Sequence, residues 1–178
     1  MRFGRRQNPD GRLKTLARKI ETVARKDLEQ ARKAQEAVRL RNGAAAELHA
    51  VCRELVDAIN GLLAKPLVEL SPAEYTPESF HDDGPNVFQI NVSGRIIQLE
   101  FRATDAPSST EKLATPYVLE GAVRAFNQEL LDLLLIPEQQ LFCCPQAGKL
   151  NWVWFDTRAQ RAAPLDQERL ISLLERLM

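Results

Sequence analysis

Histidine is scarce in this chain: His49 and His81 are the only two in 178 residues. That leaves little for imidazole-based acid–base or metal chemistry. Cysteine is scarce too. Cys52, Cys143 and Cys144 are odd in number and lack framework spacing, which argues against a disulfide scaffold. Cys143 and Cys144 are adjacent, so their side chains diverge and do not bridge. All three read as small apolar residues in a reduced compartment. With no Cys-x-x-Cys pair, a structural zinc site is not expected. Also missing are the phosphate-binding glycine loops, the HExxH helix and the GxSxG elbow. No run approaches 18 apolar residues, so no segment is expected to span a bilayer. The start, MRFGRRQNPDGR, is basic but has no apolar stretch behind it, unlike a secretory signal. Together these absences point to a cytoplasmic, non-enzymatic protein without a cofactor.

Net charge is the last thing lacking, and here the zero is deceptive. Residues 1–42 hold 13 Arg/Lys against 5 Asp/Glu, a balance of +8. Residues 43–178 hold 11 against 19, a balance of −8. A basic arm is joined to an acidic body, and both belong to a chain of ordinary globular composition.

The arm repeats itself. Ala-Arg-Lys begins at Ala17, at Ala24 and at Ala31, with a frayed copy at Val38. From about Asp10 to Lys65 good helix formers dominate, Asn8 or Asp10 can cap the start, and Pro66 supplies a stop. A heptad register fits throughout. One core position holds Ala17, Ala24, Ala31, Val38, Ala45, Cys52 and Ile59. The other holds Leu13, Ile20, Asp27, Ala34, Arg41, Leu48, Leu55 and Leu62, with Asp27 and Arg41 as charged misfits. The expected helix-association seam is Leu13, Ala17, Ile20, Ala24, Ala31, Ala34 and Val38. The wider apolar arc of the second half suits anchoring to the body, through Leu48, Leu55, Ile59 and Leu62. Asn42-Gly43 is a turn signal inside this run. Glycine inside a helix costs only about 1 kcal/mol, so a continuous or kinked helix is expected ahead of a hairpin.

The cations fall opposite the seam. Arg18, Lys19, Arg25, Lys26, Arg32 and Lys33 form a row of pairs about 10 Å apart along the axis, a spacing that suits contact with phosphates. Three facts temper that reading. Glu21, Glu29 and Glu36 interleave with the row at i,i+4 spacing. No bulky aromatic or leucine-rich face accompanies it between residues 17 and 38, so membrane insertion is expected to be weak. Solvent-facing heptad positions are ordinarily charged.

Beyond Pro66 the pattern shortens. Residues 71–86 read as a long loop and 104–116 as another. Phe88, Ile90 and Val92 alternate on one strand and Ile97, Leu99 and Phe101 on the next, with Ser93-Gly94 as the turn. Residues 117–126 favour a strand over a helix; the leucines after them stay open between the two. QLFCC and LNWVWFD form a second hairpin around a PQAGK turn. Trp152 and Trp154 share one face of its second strand and Val153 and Phe155 the other, so that strand is expected to be covered on both sides. A last helix has Asp166 as its cap, Leu165 and Leu170 as its staple, and Leu170, Leu173, Leu174 and Leu177 as its buried stripe.

The expected fold is therefore α+β. A coiled-coil-like helical arm over 1–43 precedes a body over 44–178. The body comprises a helix at 44–64, an antiparallel sheet of about four to five strands near 87–156, and a helix at 166–177. The expected function is interaction or scaffolding, by self-association as a dimer or by binding another helical protein. Nucleic acid is the alternative partner for the basic row. A weaker alternative is a metal-dependent enzyme using Glu78, His81, Asp82 and Asp83, whose carboxylates and imidazole suit a hard or borderline cation.

Overall fold

The computed structural model describes residues 9–108 and 113–178. Its first element is one helix, α1 (Pro9–Leu62), which runs through Asn42 and Gly43 without interruption. The capping role proposed for Asn8 lies outside the described residues. The chain divides between Val38 and Arg39 into two compact units, so the division falls inside α1.

The first unit, as described, is helix alone. Every residue from Asp10 to Glu36 is exposed. Thr15 and Thr22 donate their hydroxyls to the Gly11 and Arg18 carbonyls one turn back, at 2.9 and 2.8 Å. Lys33 and Glu29 form one of the expected i,i+4 pairs, at 3.1 Å. An exposed pair of this kind contributes a few tenths of a kcal/mol.

The second unit is a two-layer α+β structure. After α1 come β1 (Val68–Ser71), β2 (Asn86–Val92), β3 (Arg95–Ser108) and β4 (Tyr117–Phe126). A short helix α2 (Gln128–Asp132) leads to β5 (Glu138–Gln146), β6 (Lys149–Asp156), β7 (Arg161–Pro164) and α3 (Gln167–Glu175). The strands form one antiparallel sheet in chain order. It has seven strands, where the sequence suggested about four to five. The two short edge strands were missed, because VELS and RAAP are only four residues long and border on prolines. The expected loop at 104–116 is also corrected, since β3 continues to Ser108. The favoured strand at 117–126 is present as β4.

Both expected hairpin turns have two residues at positive φ, Ser93 with Gly94 and Ala147 with Gly148. That backbone matches the twist of the flanking strands. Gly121 serves a different purpose. It pairs with Phe101, and a Cβ there would stand 1.9 Å from the Glu100 carbonyl oxygen. The close approach of β3 and β4 at this pair requires glycine.

One sheet face carries Phe88, Ile90, Ile97, Leu99, Phe101, Leu119, Val123, Leu141, Trp152 and Trp154. Over it lie Ala44, Ala45, Leu48, Cys52 and Leu55 of α1 and the expected stripe of α3. Small residues from Gly43 to Ala45 let α1 settle close to β6, where the Trp152 indole donates to the Ala44 carbonyl at 2.8 Å. Trp154 stacks under the Arg169 guanidinium, 3.8 Å from the ring centre. Both tryptophans are core residues, as expected. Phe155 and Val153, on the reverse face, join a smaller cluster with Leu113, Tyr117, Phe142 and Cys144. Asn60 closes the end of α1. Its side-chain oxygen accepts from the Leu67 and Val68 amides, both at 3.0 Å, and its amide donates to the Val68 carbonyl at 2.8 Å.

Candidate interaction surfaces

The seam residues of the first unit all lie on open helix. Leu13, Ala17, Ile20, Ala24, Ala31 and Ala34 are exposed, and Val38 is too. Two more large apolar residues belong beside them. Leu16 and Val23 are both more than half exposed, and with Leu13 and Ile20 they give a 3-4-3 spacing along one face. Heptad bookkeeping centred on the alanines passed over these two. The spacing of the large residues alone would have found them. Arg18, Lys19, Arg25, Lys26, Arg32 and Lys33 are exposed as well.

Within the second unit the four anchoring residues divide. Leu48 and Leu55 are buried and Ile59 packs half-buried against the core. Leu62, the last residue of α1, does not anchor it; the side chain is 90% exposed, while Ile59 and Asn60 of the same turn face the body. The charged misfit Arg41 has a purpose in this unit. Its guanidinium donates to the Thr104 carbonyl and reaches Asp82 at 3.5 Å, binding the helix to β3 and to the loop before β2.

That same loop carries the candidate metal ligands, and the fold does not assemble them. Asn86, itself buried, accepts from the His81 amide at 2.9 Å and donates to the His81 carbonyl at 3.0 Å. This clamp shapes the turn through main-chain atoms and leaves the His81 ring out of it. Glu78 sits in a 3-10 turn (Pro77–Ser79), its carboxyl held below the usual range by its own backbone amide and then by Thr76. Asp82 faces Arg41. Among the described residues no three His, Cys, Asp or Glu side chains gather as a metal site. His49 is buried elsewhere, with its Nε2 2.8 Å from the Pro72 carbonyl oxygen and its ring stacked on Tyr75.

The open face of the sheet bears an ion ladder. Arg124 donates to Glu100 at 2.8 Å and to Glu138 at 2.7 Å, and Arg102 pairs with Glu120 at 3.2 Å. The bonds from Glu100 and Glu138 push the Arg124 guanidinium further up from its usual range. These groups line a shallow depression of about 500 Å³. Each of its three carboxylates is paired with one of the two arginines, an arrangement that steadies a sheet surface. The three thiols are all buried. Burial pushes Cys52 up to about 12 and shifts Cys143 and Cys144 in the same direction, so none is an activated thiolate.

A second apolar surface was not foreseen. The leucines left open by the sequence end α2 and then run on as irregular chain. Leu131, Leu133, Leu134, Leu135 and Ile136 are all exposed, and Leu134 is 88% exposed. The Leu134 amide donates to the Leu131 carbonyl at 3.0 Å and the Leu135 amide to the Leu130 carbonyl at 2.9 Å. This double closure of a helix end puts Leu134 at φ 54°, a position that ordinarily selects glycine.

No described helix is long and apolar enough to cross a membrane. No protein-family model, curated protein or solved structure matches this chain.

Proposed function

We propose that this chain is a non-enzymatic interaction protein that self-associates through the apolar face of the N-terminal half of α1. One observation carries the reading: Leu13, Leu16, Ile20 and Val23 stand exposed on one helical face of a segment with no described tertiary cover. A solitary helix in water is marginal, and helices draw most of their stability from burying an apolar face. Fully covering one such side chain contributes about 1.5–3 kcal/mol, so four of them reward a partner. Alanine at positions 17, 24, 31 and 34 lets that partner approach closely. The test is molar mass by light scattering over a concentration series, for the full chain and for Ile20→Glu. Mass rising with concentration in the wild type and not in the variant supports the reading. A wild type that stays monomeric throughout refutes it.

A second reading rests on the exposed cations of the same helix. Arg18, Arg25 and Arg32, each followed by lysine, recur at seven-residue spacing and suit a nucleic-acid backbone. It predicts DNA or RNA binding that weakens steeply between low and moderate salt. Absence of binding at low salt removes it.

A further inference from the structure

The second unit of the chain carries an exposed apolar surface of its own. The segment from Asn127 to Gln140 holds the five exposed residues Leu131, Leu133, Leu134, Leu135 and Ile136. Interleaved with them are three carboxylates, Glu129, Asp132 and Glu138, and no cation. The α1 stripe has the opposite character. Between Asp10 and Lys26 six cations flank it against two carboxylates. Each surface is apolar at its centre, and their charges are of opposite sign.

We propose that the Leu131–Ile136 patch of one copy docks the apolar face of α1, at Leu13, Leu16, Ile20 and Val23, of a second copy. This rests on the self-association proposed above and names the surface that receives the helix. Charge favours it over α1 pairing with α1. Two arms of net charge +8 repel, and in a parallel pair the Asp27 carboxylates would meet at a core position. An arm on the acidic body of its neighbour is attracted instead. The same charge argument disfavours an anionic membrane as the occupant of the patch. Each copy then carries one stripe and one patch, so the contact joins unlike surfaces of two copies.

Two full-length variants test this, with circular dichroism confirming that each is folded. Arm variant Ile20→Glu/Val23→Glu and patch variant Leu134→Glu/Leu135→Glu alter exposed side chains only. Each alone is expected to weaken self-association at least about tenfold. An equimolar mixture is expected to recover a complex, because the intact arm of one meets the intact patch of the other. Wild-type association is expected to weaken as salt rises from low to physiological, since screening removes attraction. A patch variant that associates like the wild type overturns the docking surface while leaving self-association through α1 standing. So does association that strengthens with salt over that range, the signature of two like-charged arms. Binding of the wild type to neutral phosphatidylcholine vesicles, lost in the patch variant while association is unchanged, reassigns the patch to a lipid surface. A wild type that is monomeric at every concentration overturns both proposals.

Discussion

The two halves of α1 follow one heptad register and meet opposite fates. Ile20 and Leu48 occupy the same heptad position, yet Ile20 is 59% exposed and Leu48 1%. Periodicity specifies which side chains share a face; it does not specify that anything covers the face. Around Leu48 the cover is the sheet, and the small residues Gly43, Ala44 and Ala45 admit it closely. Around Ile20 no cover is described, and the neighbouring charges are overwhelmingly positive. The contrast separates a helical segment packed as core from one left exposed.

The contrast predicts a large difference in mutational response. Leu48→Ala should lower unfolding free energy by about 3 kcal/mol, because a buried leucine leaves a cavity under a packed sheet. Ile20→Ala should change it by less than about 0.5 kcal/mol while reducing self-association. Denaturant unfolding at low protein concentration, where association is minimal, measures both. Equal effects at the two positions would erase the distinction between the halves.

A smaller effect probes how the buried half is held. Trp152→Phe removes the indole donor to the Ala44 carbonyl and should cost about 1–2 kcal/mol, read by the same unfolding measurement. A neutral result would mean that apolar packing alone seats α1 on β6.

The smallest effect has the opposite sign. Leu134→Gly relieves a left-handed leucine and should stabilise the fold by about 0.5–1 kcal/mol. It also strips the most exposed side chain from the patch and should weaken self-association. Gaining stability while losing association is the pattern expected where a residue is kept for binding. If Leu134→Gly destabilises the fold, the leucine is a structural residue and the patch loses its centre.

Much of the architecture was legible because local signals agreed with the tertiary ones. The hairpin turns at Ser93-Gly94 and Ala147-Gly148, the alternation of Ile97, Leu99 and Phe101, and the Asp166 cap are short-range features. The cap accepts from the Arg169 amide at 2.9 Å, as its sequence position implies. The edge strands were illegible because four residues beside prolines carry no period. The candidate metal cluster at 78–83 was misleading for a related reason. Four ligand-type residues within six positions are close in sequence, but the described structure does not gather three of them as a metal site.

Sequence alone determined the charge asymmetry and the helix-forming, heptad-spaced character of residues 10–65, since these depend on residue identity and a fixed helical repeat; the passage of one helix through Asn42 and Gly43 was left to the structure. Only the tertiary structure decided that Arg41 ties α1 to β3 and that Leu62 is left exposed while Leu48 and Leu55 are buried. It alone decided that the leucines after Asp132 emerge as an exposed patch rather than extend a buried helix. Burial depends on what another part of the chain brings to a face, and no local pattern carries that information.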